Sequence, residues 1–399
     1  MSLQYILGGS GGGKSTNLYN SIIKESIKNP LKNYIIVVPE QYTMATQKRV
    51  VELHPRKGVL NIDVVSFERL AYKVFEEVGA ADYPVLDDTG KNLIVRRVLE
   101  QNKKALRFFG SNISNTGFVS ELKSVISEML QYDISVDKLL DINKNVDNKS
   151  LLGMKLDDIS LIYGGFKEFI KNNYITSEEI LDLMCRKVTE SSKIRGSVIA
   201  FDGFTGFTPV QYRLMAILLD MCKEVKVALT IDISEHVNIN EGIESLFYMT
   251  KDTVAHLNRI CDEGHINVDK VTVGEDTVLT RFAASKELAF LEKNIFRPGL
   301  RYYSGKVNDI VMYAGITPKD EIQYVSGEIL KLTRLQGFRY NEIAVVTGDI
   351  SVYGKLAANI FAQNDIPYFL DQKLHVTDNC LVAMITAVLD VIDKNYTYD

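Results

Sequence analysis

The sequence predicts an α/β protein: a parallel, helix-flanked sheet, interrupted by an all-helical block and followed by the opening of a second α/β domain. Three observations predict this. Apolar runs of strand length alternate with amphipathic stretches from residue 3 to about 78. From about Asp87 to Lys187 the spacing is helical throughout. Strand–helix alternation then resumes at Ser197 and begins afresh near Asp309.

The first strand is Gln4-Tyr5-Ile6-Leu7. After it comes Gly8-Gly9-Ser10-Gly11-Gly12-Gly13-Lys14-Ser15, a G-x-x-x-x-G-K-S pattern. Thr16 to Lys28 then carries Leu18, Ile22, Ile23 and Ile27 at helical spacing. A strand before and a helix after are the context in which this pattern cradles phosphate. Glycines let backbone N–H groups turn inward around an anion, in conformations that a side chain blocks. The helix start adds unpaired N–H groups and its positive dipole end. Lys14 is expected to reach the β- and γ-phosphates of a nucleotide, and the Ser15 hydroxyl to ligate Mg²⁺.

Tyr34-Ile35-Ile36-Val37-Val38, bounded by Asn33 and Pro39, reads as a buried parallel strand. Met44 to Leu53 reads as a helix and Val59 to Val65 as a third strand. Ser66 is the expected N-cap of a helix through Phe67, Leu70, Ala71, Val74 and Phe75. In the helical block, Leu93, Ile94, Val98 and Leu99 form one stripe. Val119, Leu122, Ile126 and Met129 form a second, and Ile159, Ile162, Phe166 and Phe169 a third. Asp87, Asp88 and Ser177 are the expected helix starts.

Ser197-Val198-Ile199-Ala200-Phe201-Asp202 is an apolar strand ending in a carboxylate, the form of an element that holds Mg²⁺ beside a phosphate loop. Gly203 stands next, where hydrolytic proteins of this kind place glutamate, so no residue there orients an attacking water. Thr208-Pro209 opens a helix, and Val225 to Ile231 reads as another buried strand. Signals from Asp232 to about Arg301 are mixed, with helices over Lys251 to Cys261 and Lys286 to Phe296. The last unit reads as a strand at Asp309 to Ala314, a helix from Asp320 to Leu335 and a strand at Ile343 to Val346. A helix over Tyr353 to Gln363, an edge strand at Ile366 to Phe369 and a helix from Leu381 to Ile392 follow. Too few strands occur by Asp399 to complete that second sheet, so the sequence reads as part of a longer protein. The expected divisions are 1–85, 86–190 (helical insertion), 191–300 (remainder of the first domain) and 301–399.

The chain has 399 residues, enough for two or three domains. Its 46 basic and 51 acidic side chains give a net charge of −5, which argues against coating nucleic acid by bulk charge but leaves room for a local groove. No apolar run has the length of a membrane span, so a cytoplasmic protein without membrane contact is expected. Cys185, Cys222, Cys261 and Cys380 are far apart, as are His54, His236, His256, His265 and His375, so neither metal-site spacing nor a disulfide framework is present.

Two α/β units with a helical insertion in the first is the layout of superfamily 1 helicases, and the chain resembles the N-terminal region of the AddB family along essentially its whole length. The residues carrying the resemblance are Gly8–Ser15, Val38-Pro39-Glu40-Gln41-Tyr42-Thr43 and Val65-Ser66-Phe67-Glu68-Arg69-Leu70-Ala71. Leu161-Ile162-Tyr163-Gly164, Phe201-Asp202-Gly203-Phe204-Thr205 and Ile366-Pro367-Tyr368-Phe369-Leu370-Asp371 extend it. The resemblance implies RecA-like domains and a heterodimer with an AddA-like helicase–nuclease that works on double-strand DNA ends. It also implies degradation up to a Chi sequence and a single-stranded tail for homologous recombination. A 5′→3′ exonuclease with a [4Fe–4S] cluster is implied for a C-terminal region outside this chain, and the four cysteines here are assigned to no cluster.

Within that family the helicase-like half does not drive unwinding. Three features agree: Gly203 lacks the acidic partner, the loop begins at residue 8 with no adenine-recognising element expected before it, and Gly348 stands where relatives place a γ-phosphate arginine. ATP and Mg²⁺ are therefore expected to bind at Gly8, Gly9, Ser10, Gly11, Gly12, Gly13, Lys14, Ser15 and Asp202. Ligands of open α/β sheets gather at the carboxyl ends of the strands. The loops there offer Gln41, Thr43 and Arg69 for polar contacts and Phe67, Tyr72, Phe204 and Phe207 for stacking against single-stranded DNA. The competing readings are an active translocase of the same superfamily, a P-loop kinase (for which no lid with clustered arginines is found) and an architectural protein that has lost its nucleotide.

Overall fold

The computed structural model describes residues 1–79, 84–110, 115–147, 150–171, 174–239, 242–274, 281–297, 299–371, 376 and 379–396; His375 and Asp399 lie outside them. The chain divides into two compact units, Met1–Tyr303 and Ser304–Asp399.

The first unit opens with β1 (Ser2–Gly8), α1 (Lys14–Lys28), β2 (Tyr34–Val37), α2 (Thr43–Leu53), β3 (Ile62–Val65) and α3 (Phe67–Val78). Next come β4 (Val85–Leu86), α4 (Asp88–Asn102), α5 (Thr116–Gln131), α6 (Val136–Lys144), α7 (Leu151–Ile170) and β5 (Ile175–Thr176). The unit continues with α8 (Glu179–Lys187), β6 (Val198–Phe201), α9 (Pro209–Met221), β7 (Glu224–Thr230), α10 (Tyr248–Glu263), β8 (Asn267–Thr272) and α11 (Lys286–Asn294).

Six strands form one sheet in the order β3-β2-β6-β7-β1-β8, and every pair in it is parallel. The pleat assigns alternate residues to opposite faces, and both faces are apolar. Leu3, Tyr5, Leu7, Ile35, Val37, Ile199, Phe201, Val225 and Val227 pack with residues of α3, α8, α9 and α10. Ile6, Ile36, Val198, Ala200 and Ala228 pack on the other face with Leu18, Ile22 and Ile23 of α1 and Val50 of α2. This arrangement is compatible with a RecA-like domain. The strand β8 lacks the apolar run of its neighbours, because it is a half-exposed edge in which mainly Val268 and Val271 turn inward.

The stretch from α4 to α7 has a core of its own, built on Ile94, Val95, Val98, Leu99, Leu122, Ile126, Ile162 and Phe166. Leu93, expected in its first stripe, points outward and is exposed. Gly165 on α7 allows close approach to α4, since a Cβ there would lie 2.7 Å from Val98 Cγ1. The buried Asp158 carboxylate accepts from the backbone N–H groups of Arg107, Phe108 and Phe109, at 2.9, 2.8 and 2.9 Å. Entry and exit of this block lie side by side, because β4 and β5 pair in parallel. Buried Lys91 reinforces that junction with an ion pair to Glu178 at 2.8 Å.

Ser66, Asp87 and Thr208 cap helices as expected, Thr208 in a reciprocal box with Gln211. Ser177 does not cap α8: Thr176 Oγ1 accepts from Glu179 N at 3.4 Å, while the Ser177 hydroxyl takes the Lys91 ammonium.

The second unit contains α12 (Pro318–Leu335), α13 (Ile350–Gln363) and α14 (Cys380–Asp393), with a small core of Ile322, Ile329, Ala357, Ile360, Phe361 and Ile366. The strands expected at Asp309 to Ala314, Ile343 to Val346 and Ile366 to Phe369 join no ladder among the described residues. Composition marks a segment suited to a strand, but a strand forms only when a neighbour takes up its N–H and C=O groups. No helix among the described residues is long and apolar enough to cross a membrane.

Candidate functional site

The carboxyl edge of the six-stranded sheet gathers the residues singled out in the sequence. Gly8 closes β1 where β8 passes close by: a Cβ there would lie 2.3 Å from the Val273 carbonyl oxygen. Gly11 and Gly13 have φ of +74° and +91°, a backbone conformation suited to glycine. Gly12 N donates to Gly9 O at 3.2 Å, which closes the turn. Gly13 is the N-cap of α1 and brings no side chain to it, so the amides of the first turn have no side-chain acceptor. Lys14 Nζ folds back over the loop and donates to Gly9 O at 2.9 Å. Burial lowers the Lys14 pKa from the usual lysine value, against the pull of the Asp202 and Glu292 carboxylates, and Arg281 lowers it further.

Asp202 follows β6, one strand removed from β1 across β7, and is buried. Its Oδ2 accepts a 2.5 Å hydrogen bond from the Tyr19 hydroxyl. Tyr19 lies one helical turn beyond Ser15, so both project from the same face of α1. Burial pushes the Tyr19 phenol pKa up, the Asp202 charge adds to this, and the Thr46 and Ser15 hydroxyls on the same phenol act in the opposite sense. The sequence reading missed Tyr19; its signal was the i+4 spacing from Ser15. Gly203 has φ of +80°, and a Cβ there would sit 3.4 Å from Pro39 Cδ and 3.5 Å from Tyr42 Cδ2. The backbone after Asp202 is therefore shaped for glycine and strained for a carboxylate residue.

A later segment covers the loop. Arg281 N donates to Gly11 O at 3.0 Å, and Glu292 of α11 places a carboxylate oxygen 3.7 Å from where a Gly9 Cβ would be. Between the glycine loop, the exit of β7 and α11 lies a cleft of about 1110 Å³, whose lining includes Ser10, Asp232, Phe282 and Lys286. Arg297 ties its far side by ion pairs to Asp232 at 2.6 Å and Glu235 at 3.3 Å, and Glu235 also holds buried Lys251 at 2.9 Å.

The loops beside this edge divide by exposure. Gln41, Arg69 and Tyr72 are exposed, with Arg69 paired to Glu40 at 2.9 Å. Thr43 is buried and its hydroxyl donates to Glu40 O at 2.9 Å. Phe67, expected to stack on bases, is buried; its ring lies 5.6 Å from Phe201 and 5.3 Å from Phe204. Phe204 and Phe207 are half-buried, 5.1 Å apart, and continue this cluster outward. Its first residue sits on the apolar face of α3, and helical spacing wins over the stacking role there.

An inward-turning glycine loop, a folded-back lysine and a strand-end aspartate can together hold an anion and a divalent cation. Among the described residues no group of three or more His, Cys, Asp or Glu side chains could hold a metal ion. Fold and edge define a class: parallel α/β proteins in which a glycine-rich strand–helix turn and an aspartate-ended strand share one sheet edge. Within it, this chain belongs to the AddB family. The family model described as ADDB, N-terminal, matches residues 5–292. The whole chain is 40% identical to the AddB subunit of the ATP-dependent helicase/deoxyribonuclease of Lachnoclostridium phytofermentans, and 33% identical to the corresponding proteins from Clostridium novyi and Clostridium perfringens. These matches cover 100% of this chain and 34% to 35% of each relative, so the chain spans about a third of the length of these curated relatives.

Proposed function

We propose that this chain is the N-terminal, helicase-like part of an AddAB-type complex for repair of double-strand breaks by homologous recombination. It binds ATP and Mg²⁺ at Gly8–Ser15 and Asp202, does not drive unwinding, and holds single-stranded DNA on the neighbouring loops as a contribution to Chi recognition. The observation that carries the nucleotide reading is the convergence of Lys14, Ser15 and Asp202 at one sheet edge, with Gly11 and Gly13 in left-handed conformations in the loop just before Lys14. The residues present fit the ligand: loop amides and Lys14 for the phosphates, Ser15 and Asp202 for Mg²⁺. The metal would offset phosphate charge when bound.

The left-handed backbone at Gly203 supports binding without efficient turnover, since a glutamate at the position that orients water elsewhere would be strained here. For DNA, Gln41, Arg69 and Tyr72 are available at the surface, half-buried Phe204 and Phe207 pack on Phe67, and the Thr43 hydroxyl donates to the Glu40 carbonyl. The names of the relatives support the helicase–deoxyribonuclease context, an AddA-like partner and a DNA substrate. The exonuclease and its [4Fe–4S] cluster belong in this reading to sequence beyond these 399 residues, and the protein is placed in the cytoplasm.

Calorimetry with ATP–Mg²⁺ tests the proposal. The chain is expected to bind, Lys14→Ala to lose at least about tenfold in affinity, roughly 1.4 kcal/mol, and single-stranded DNA to stimulate no hydrolysis. Absence of binding sinks the nucleotide reading in favour of an architectural role; DNA-stimulated hydrolysis restores the motor.

A further inference from the structure

The amino edge of the same sheet carries a second feature, about 20 Å from the first by the length of a seven-residue strand. The turn between α1 and β2 and the loop leading into β6 border an open surface pocket of about 540 Å³. Lys28, Lys32, Lys193 and Arg195 line it, and burial and then the charge of neighbouring Lys223 lower the Lys32 pKa. In a chain of net charge −5 this is a local concentration of five cations.

The nearby carboxylates are already engaged. Lys226 takes Glu25 at 3.0 Å and Glu224 at 3.3 Å, and Lys187 takes Glu190 at 2.9 Å. Glu77 accepts from Ser191, Ser192 and the Lys193 N–H. Among the described residues no ion pair is formed by Lys28, Lys32, Lys193 or Lys223, and the Arg195 guanidinium donates to the Thr189 carbonyl.

The walls are fixed in advance. The Asn61 carboxamide donates to the carbonyls of Ser26, Asn29 and Lys32, at 3.3, 3.4 and 3.1 Å, and Asn33 Nδ2 ties the turn to the Lys193 carbonyl at 3.2 Å. The lining adds Asn29, Ser192 and Ser197 but contains no aromatic ring. Charge without a stacking platform suits a phosphodiester backbone with its bases turned away, as in a duplex, and not splayed single-stranded bases.

We propose that this basic pocket at the amino edge of the sheet holds backbone phosphates of duplex DNA, independently of sequence. The site is separate from the glycine loop and from the loops at the carboxyl edge.

The test is fluorescence anisotropy of the 399-residue chain with a labelled blunt duplex over a salt series, comparing wild type, the Lys32→Ala/Lys193→Ala pair and Lys14→Ala. The pair is expected to weaken duplex binding about tenfold at low salt and to lower the slope of log affinity against log salt by about 2, near one for each phosphate no longer neutralised. Lys14→Ala is expected to match wild type, so failure of the nucleotide reading leaves this result untouched. Thermal melting of the pair at the wild-type temperature separates the loss from misfolding; Lys193 is exposed and Lys32 half-buried. An unchanged slope, no duplex binding by wild type, or displacement of the duplex by polyglutamate at equal charge overturns the proposal, the last by pointing to an acidic peptide.

Discussion

Asp202 is held before any ligand arrives. The 2.5 Å bond from Tyr19 satisfies one carboxylate oxygen in a buried position, and the phenol is itself faced by Ser15, the proposed Mg²⁺ ligand. Tyr19→Phe removes the donor and leaves the shape intact. Without its partner the buried carboxylate costs stability, about 1–3 kcal/mol for an unmet acceptor, while a divalent cation can recover that loss. The expected outcome is a lower melting temperature for Tyr19→Phe in buffer and a larger stabilisation by ATP–Mg²⁺ than in wild type, read by thermal shift. Equal melting temperatures without ligand would show that the bond contributes nothing. The spacing of Lys14, Ser15 and Asp202 was legible as chemistry because each belongs to a pattern tied to a strand end or helix start. Tyr19 was not, because a tyrosine on a helix carrying Leu18, Ile22 and Ile23 looks like core until its hydroxyl is placed.

At the scale of elements, α3 links the two edges of the sheet. Its first turn carries Phe67 and Arg69 at the carboxyl edge, and Glu77 in its last turn anchors the loop that enters β6 at the amino edge. Burial works against the Glu77 charge, but hydrogen bonds from the Ser191 and Ser192 hydroxyls and the Lys193 and Ser192 amides outweigh it and hold its pKa near about 2. A carboxyl depressed in the folded state adds stability above its ordinary pKa, and that contribution is lost as pH falls from about 4.5 through about 2. Glu77→Gln is therefore expected to lower the urea midpoint near neutral pH and to approach wild type at about pH 2. A gap that stays constant across the range would mean that the carboxylate charge is not what holds the loop. Caps and buried strands were legible because Ser66, Asp87, Thr208 and the Tyr34–Val37 run carry local signals. The edge strand β8 was not: its pairing to β1 is a tertiary fact that half-exposed Asn267–Thr272 does not advertise.

For the whole molecule, the strand order brings together residues nearly two hundred positions apart, and this could not be read from local patterns. Chain order 1, 2, 3 becomes spatial order β3-β2-β6-β7-β1-β8. The helical residues of 88–170 leave and re-enter through one short parallel ladder, so a block of that length does not displace Asp202 from the sheet edge it shares with β1. The three larger cores all lie within Met1–Tyr303, and the residues that touch or face the glycine loop, Tyr19, Asp202, Val273, Arg281, Phe282 and Glu292, belong to that unit as well. The fourth core belongs to Ser304–Asp399 and shares no residue with them. A polypeptide of residues 1–303 is therefore expected to unfold in one cooperative transition and to bind ATP–Mg²⁺ within about twofold of the 399-residue chain, roughly 0.4 kcal/mol. Denaturant titration and calorimetry on the two polypeptides check this. Cooperative unfolding with nucleotide affinity lost would place part of the phosphate site outside the glycine-loop unit, and a shallow, non-cooperative transition would mean that the first unit depends on the second for its core.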